Sequence, residues 1–484
     1  MADNEKALES KFQPQTRYNN FGTFIRSIRI DGFRGIHDLE IPFEFPVTAI
    51  SGLNGSGKST IGQICLSGYK EAVRQGGYKR FYVKDFFPAS AADPDLFTDT
   101  ASVIFSYETD DFENPKKATI RRAPSRWGGY KRQPERACFY LGFTIYIPKV
   151  ERKDLSIYMG SAITLTKPRL IDNEVREKVG RILGQQYDEL HFQGIRHGKK
   201  SGELGVAARF GYRYSENNMG FGEGRVLYLV DLLENSPEKS LFVIEEPETS
   251  LHEHAQHELA KYFLDVCHRR SHQIIISTHS DKILGALPSK SRIFLRRDSS
   301  GVTLDLGISA TTARALLSRG YTRDFFVFVE DEFAEALLGE MIRRIDRSLR
   351  RSICIKAVGN TNDVRNANNF VRQQLGKSCI AVRDADTGAN PSSGLLSLPG
   401  SKPPEREVYE HPGVKQYFAE QFSLDIDNEL ALKNVTDHHK FSEVLADACD
   451  LSAEYFKMLA IGKYLDELGE HAYSDLVHNI RNAA

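Results

Sequence analysis

The chain has 484 residues, with 64 Lys and Arg against 65 Asp and Glu, so its formal charge is −1. At roughly 150 residues per domain this length predicts about three domains, or two with insertions. With 40% apolar and 27% charged residues, a collagen-like, low-complexity or globally disordered chain is excluded. The balanced charge excludes a histone-like protein that holds nucleic acid by bulk positive charge, but not one that binds through a local patch. The six cysteines (Cys65, Cys138, Cys267, Cys354, Cys379, Cys449) include no CxxC pair, so they read as small buried residues in a reducing cytoplasm. The polar N-terminus lacks a signal-peptide core, and no apolar run approaches the ~20 residues of a membrane span. The expectation is a soluble, cytoplasmic α/β protein.

In chain order, a polar N-terminal extension (1–23) precedes a first domain at 24–306. Residues 27–43 read as two short strands around a turn, and 46–64 as a strand, a glycine-rich loop and a helix. A strand at 100–108, a basic stretch at 121–136 and an apolar run at 138–148 follow. Residues from about 170 to 195 read as helical. Next come an apolar stretch at 218–233, a buried strand ending in acids at 240–246, a helix at 252–270, a strand at 272–280 and a hairpin at 291–307. A polar connector (307–322) leads to a smaller parallel-sheet domain (323–405) with strand-like runs at 325–330, 353–359 and 379–386. A loop rich in Gly, Pro and Ser closes it. The remainder (406–484) reads as a helical extension, with Phe441, Leu445 and Ala448 at helical spacing.

Residues 52–59 read GLNGSGKS, which satisfies GxxxxGK[ST] between an apolar strand and a helix. Glycines allow backbone N–H groups and a helix N-terminus to surround phosphate. Gly52, Asn54, Gly55, Ser56, Gly57 and Thr60 are the expected cradle of ATP. Lys58 would reach the β- and γ-phosphates, and Ser59 would bind Mg²⁺. The strand Leu241–Ile244 presents Glu245 and Glu246. The first acid is expected to support Mg²⁺ and the second to orient the attacking water. His279, at the end of another buried strand, is a candidate γ-phosphate sensor.

With these motifs in place, residues 24–306 resemble an ABC-type ATPase head of the RecF/SMC/OLD group. The opening IRIDGFRGIHDLEI resembles that group's first hairpin. Glu245-Glu246-Pro247-Glu248 resembles its Walker B, Ser250-Leu251-His252 its D-loop, and Met219-Gly220-Phe221-Gly222-Glu223 its signature. The resemblance implies that Gly220, Gly222 and Glu223 of one head close on ATP held by the P-loop of another, and so a homodimer or larger homo-oligomer. Gly220 stands where the signature serine is usual, and Glu245 where Asp is commoner. Gln63, Gln75 and Gln133 are set aside as Q-loop residues. The roughly 160 residues between P-loop and signature lack sustained heptads, which excludes a rod-like arm.

In the smaller domain, Phe325–Val329 ends at Glu330, and Cys379–Arg383 ends at Asp384 and Asp386, a DxD pair. Acids converging at the carboxyl ends of parallel strands would hold Mg²⁺, with Mn²⁺ as a substitute, for phosphodiester cleavage. This stretch resembles a Toprim domain, with Gly359-Asn360 at its middle glycine turn and Asp331 where Gly is usual. Lys402 and Glu405 lie in a segment reminiscent of Toprim regions fused to such ATPases and are candidates to assist the metal site.

An ATPase head followed by Toprim resembles the OLD family of nucleases, including the Gabija type. The resemblance implies a metal-dependent DNA endonuclease in bacterial antiphage defence, acting on phage or damaged DNA with a partner protein of the defence system. The alternatives are an ATPase scaffold or sensor with a non-cleaving Toprim-like domain, and a RecF-like repair ATPase. Nucleic-acid contacts are expected at two basic clusters. One holds Arg121, Arg122, Arg126, Lys131 and Arg132 with Trp127 and Tyr130. The other holds Arg343, Arg344, Arg347, Arg350 and Arg351.

Overall fold

The six residues of the strand Val47–Gly52 are all buried, as a strand in the middle of a parallel sheet must be. The computed structural model describes residues 2–72, 78–90, 92–93, 95–123, 126–146, 163–197, 199–299, 301–318, 325–374, 378–389 and 395–484. Gln75, positions 147–148 of the apolar run, positions 319–322 of the connector and positions 390–394 of the Gly/Pro/Ser loop lie outside them. The chain forms two compact units, Met1–Ile308 and Ser309–Ala484.

In the first unit, Val47–Gly52 lies in a six-stranded sheet. The order is Gly301–Leu306, Arg292–Asp298, Val47–Gly52, Gln273–Ser277, Leu241–Glu245, Cys138–Leu141. All neighbours are parallel except the first pair, the predicted hairpin. The register sets Glu245 beside Ser277 and Ser277 beside Ile50. The loops after these strands therefore open at one edge, where open α/β sheets bind ligands.

Two antiparallel sheets complete the unit. One joins Leu39–Pro42, Ile25–Phe33, Phe97–Tyr107, Lys116–Ala123 and Arg126–Gly128 in that order. The other is built on Glu189–His197 paired with Lys200–Arg209. This second sheet corrects the helical reading of 170–195. The helix is only Asn173–Leu183, and Gly184 ends it in the left-handed conformation with φ of 65°. Beyond it the chain pairs along a nine-residue hairpin register, which overrides local helical spacing.

Residues 2–23 are built into this unit. The helices Ala2–Lys11 and Pro14–Phe21 bury Leu8 and Phe21, and Phe12 is buried between them. The Phe12 ring meets Phe21 and Phe24 edge-on at 5.2 and 4.9 Å.

The second unit holds a four-stranded parallel sheet in the order Ile353–Ala357, Phe325–Val329, Cys379–Arg383, Leu395–Ser397. The last strand emerges from the loop rich in Gly, Pro and Ser. Its three residues pair with Ala381–Arg383 and are too few to show a period. The connector is partly helical: Ala310–Leu317 forms a helix, capped by the Ser309 hydroxyl accepting from Thr312 N–H. The C-terminal helices share a core with the sheet, since Val327, Leu338, Val382, Phe418, Phe456, Ile461 and Val477 belong to one buried cluster. On Phe441–Ala448 the buried stripe is Phe441, Leu445 and Ala446 rather than Ala448. Among the described residues, no helix is long and apolar enough to cross a membrane.

Candidate functional site

The glycine loop begins where Gly52 leaves its strand at φ 146°, and Gly55 and Gly57 follow at 78° and 108°. Side chains avoid these values, so the sequence can make this turn only with glycine. Gly57 caps the helix Lys58–Leu66, whose N-terminal N–H groups face the loop. The Lys58 ammonium donates to the carbonyls of Gly52 and Leu53 at 2.9 and 3.2 Å. Burial pulls its pKa down, against the opposing pull of Glu246 and Glu248. Asn54 and Gly55 are exposed at the loop tip, whereas Ser56 and Thr60 are buried. Thr60 accepts from Arg34 at 3.4 Å, and Arg297 donates to the Gly55 carbonyl at 3.2 Å.

Glu245 ends the adjacent buried strand. Its carboxylate accepts from Gln63 Nε2 at 3.1 Å. Burial raises its pKa, against the opposing pull of Tyr140, Ser59 and Gln63. Ser59 and Gln63 are four residues apart on one helix face, and that spacing was the available signal. Gln63, set aside from the sequence, is thus part of this site.

Glu246 has φ of 43°, left-handed for a non-glycine residue. Such strain persists only when surrounding bonds fix it, and four do. Its N–H donates to Ser277 O at 2.9 Å, and its carbonyl accepts from Thr249 N, Thr249 Oγ1 and Arg225. Arg225 also donates to the Glu245 carbonyl, at 2.8 Å. This buried arginine lies in the signature helix Phe221–Asn235 and escaped the sequence reading. Glu248 accepts from Thr278 Oγ1 at 2.8 Å and His279 N–H at 2.7 Å, which fixes the loop carrying His279. His279 Nε2 stands 3.6 Å from Glu246 Oε1. Burial and Lys58 lower its pKa against the pull of Glu246.

The signature residues have other partners within this chain. Gly220 caps the helix, and a side chain there would meet open space. Gly222 packs so closely that a Cβ would collide with the Ser250 carbonyl. Glu223 accepts from the hydroxyls of Tyr187 and Tyr214, both at 2.7 Å.

In the second unit, Glu330 and Asp384 follow the adjacent parallel strands Phe325–Val329 and Cys379–Arg383. Asp384 N–H donates to Glu330 Oε1 at 3.2 Å, and the Thr361 hydroxyl lies 2.8 Å from both Glu330 oxygens. Asp384 is 8% exposed. Burial first, then the charges of Glu330, Asp331, Glu405 and Asp386, push its pKa up to about 8. Asp386 itself is exposed. Asp331 caps the helix Glu332–Ile345 by accepting from Ala334 N–H at 2.7 Å. The acidic residue in the usual glycine position therefore has a local structural role and also adds charge to the cluster.

Buried Asp384 Oδ1 and Glu405 Oε2 have no hydrogen-bond partner among the described residues. Leaving such oxygens unpaired costs about 1–3 kcal/mol each, and more when they are charged. An all-oxygen donor set of this kind fits a divalent cation such as Mg²⁺ or Mn²⁺. His439 Nδ1 lies 3.0 Å from Glu405 Oε1, which accepts from it in the tautomer that carries the proton on Nδ1. It was absent from the sequence reading, and no local signal links it to the acids.

The two basic clusters differ. Tyr82, Lys84, Phe87, Phe97, Arg122, Arg126, Trp127 and Tyr130 line a cleft of ≈ 770 Å³. In the other, Arg343 and Arg344 are held by Glu340, and Arg344 also by Asp466, while Arg347 and Arg351 are exposed.

Residues 47–285 match the family model described as "AAA domain, putative AbiEii toxin, Type IV TA system". Solved structures similar to the chain include the SMC head domain from Thermotoga maritima. It is 14% identical with a TM-score of 0.34, and the match covers 58% of this chain and 98% of that one. Another is an Smc head domain with an extended coiled coil, bound to the C-terminal domain of ScpA derived from Pyrococcus furiosus. It is 13% identical with a TM-score of 0.36, and the match covers 61% and 99%. A third is an Smc head bound to the C-winged helix domain of ScpA, at 15% identity and a TM-score of 0.38, covering 58% and 97%. No curated protein matches the chain. The family match, with the P-loop and the paired glutamates inside it, supports an ATPase-type function for this part of the chain.

Proposed function

We propose that the chain is an ATP-controlled, Mg²⁺-dependent DNA endonuclease of Toprim type. The observation that carries this reading is the pairing of Glu330 with Asp384 at the ends of adjacent parallel strands, with a buried Asp384 oxygen left without a partner. Glu330, Asp384 and Asp386 would hold one or two Mg²⁺ ions, with Mn²⁺ as a substitute. Bound there, the ions supply Lewis acidity at the scissile phosphate and lower the pKa of the attacking water. Thr361 orients the Glu330 carboxylate, and the Asp384 N–H fixes its near oxygen.

In the ATPase domain, Lys58 would move from its loop carbonyls to the β- and γ-phosphates. Ser59 and Glu245 would hold Mg²⁺. Glu246, locked by Arg225 and Thr249, would orient water, with His279 at the γ-phosphate. Gly220, Gly222 and Glu223 would close on ATP bound by a second copy. The resemblance of residues 24–405 to the OLD family supports DNA as substrate, a cytoplasmic homo-oligomer and a role in bacterial antiphage defence with a partner protein.

The test is DNA cleavage with Mg²⁺ or Mn²⁺, with and without ATP. Folded Glu330→Ala/Asp384→Ala protein should not cut, and Lys58→Ala should lose ATP binding. A double variant that cuts at the wild-type rate refutes the assignment. ATP-dependent assembly with no cleavage on any substrate favours the scaffold reading.

A further inference from the structure

His439 belongs to the C-terminal helical region, about 35 residues beyond Glu405 in sequence. Its Nδ1 nevertheless stands 3.0 Å from Glu405 Oε1 and 3.5 Å from Asp331 Oδ2. Tetrahedral ligands around a cation at about 2.0–2.2 Å are separated by about 3.3–3.6 Å, so the His439 nitrogen is within a few tenths of an ångström of that spacing from each oxygen. Glu405 is 3% exposed, and its Oε2 is buried without a partner. That oxygen shares a side chain with the one His439 touches. His438 lies beside it, and one ligand atom from each of Glu405, His438 and His439 falls within 4.8 Å of the others. Asp331 directly follows Glu330, whose carboxylate accepts from Asp384 N–H, so this group adjoins the Glu330–Asp384 pair.

We propose that His439, Glu405 and Asp331 form a mixed nitrogen–oxygen divalent-cation site beside Glu330 and Asp384, and that it prefers Mn²⁺ or Zn²⁺ to Mg²⁺. Imidazole suits first-row transition ions, whereas Mg²⁺ takes oxygen ligands almost alone. This inference rests on the acidic-site reading above and adds the nitrogen ligand to it. The helical extension thereby sets metal choice.

The experiment uses the full chain, stripped of metal and titrated with Mn²⁺ or Mg²⁺ by calorimetry, with electron spin echo envelope modulation recorded on the Mn²⁺ form. The wild type should show ¹⁴N coupling from a directly bound imidazole. His439→Gln should abolish the coupling and weaken Mn²⁺ about 10–100-fold, with Mg²⁺ affinity changed less than about threefold. The His439 side chain is 57% exposed, so the variant should fold, and an unchanged melting temperature verifies this. Glu405→Gln should weaken both ions. Tight Mn²⁺ binding that lacks ¹⁴N coupling and is lost in Asp384→Ala overturns the proposal while leaving the acidic site standing. Coupling that persists in His439→Gln also overturns it. No Mn²⁺ binding by the wild type overturns both readings.

Discussion

Replacing Asp384 by Asn removes a carboxyl that burial and the charges of Glu330, Asp331, Glu405 and Asp386 push up to about 8. In an unfolded chain the same group titrates near about 3.9. Between these values the folded protein holds a proton that the unfolded chain has released. Because the folded value is the higher one, the stabilisation is complete below the unfolded value and is lost as pH rises through about 8. The limiting slope is about 1.4 kcal/mol per pH unit, so a rise from pH 5.5 to 7.5 should cost the wild type about 2.5 kcal/mol that Asp384→Asn keeps. The single tryptophan, Trp127, lies in the other unit, so fluorescence would miss the change. Amide exchange of Phe325–Val329 and Cys379–Arg383 in chelator-treated protein reads it directly, and the wild-type-minus-variant difference cancels the intrinsic pH dependence. Saturating Mg²⁺ should remove the difference, because a bound cation displaces the proton. Parallel pH dependence in the two proteins would refute the reasoning, since Asp384 would then ionise without regard to its neighbours.

Four further outcomes are expected. Gly222→Ala pushes a methyl group into the Ser250 carbonyl; it should cost about 1–3 kcal/mol and slow ATP hydrolysis, as melting and phosphate-release assays would record. Arg225→Leu removes the donor to the carbonyls of Glu245 and Glu246; ATP should still bind, measured by calorimetry, while turnover falls about tenfold or more. Glu246→Gln should retain ATP and lose about 10²–10⁴ in hydrolysis rate, the usual worth of a general base. The two basic clusters should differ in the salt dependence of DNA binding. Arg344→Ala should leave the slope the same and lower the melting temperature instead, because its partners are Glu340, Asp466 and the Gly462 carbonyl. Neutralising Arg122 and Arg126 in the aromatic cleft should reduce the slope by about one for each phosphate that is no longer neutralised.

Much of the local geometry of the candidate ATP site was legible because its parts are short and local. Gly52, Gly55 and Gly57 meet the loop's φ requirements within six residues, and a buried strand running into Glu245 and Glu246 needs only its own apolar pattern. The same is true of Glu330 and of Asp384 with Asp386. Other features are non-local. Gln63 reaches Glu245, and Arg225 fastens Glu246, only because sheet order places their helices there. Phe12 and Phe21 join the core of the first unit through ring contacts that a polar-looking N-terminus hides. The strand Leu395–Ser397 forms because an existing sheet offers it an edge.

The charge balance of −1 illustrates the division. From the sequence alone it followed that any nucleic-acid binding would be patch-borne, and which acids end which strands. Tertiary structure gathered Glu330, Asp331, Asp384, Asp386, Glu405 and His439 into one neighbourhood and engaged Arg343 and Arg344 in ion pairs. The reason is range. Backbone turns and strand ends are set by forces acting over a few residues, whereas the meeting of like charges is imposed by strand order and a shared core, which compensate for repulsion that no local preference would accept.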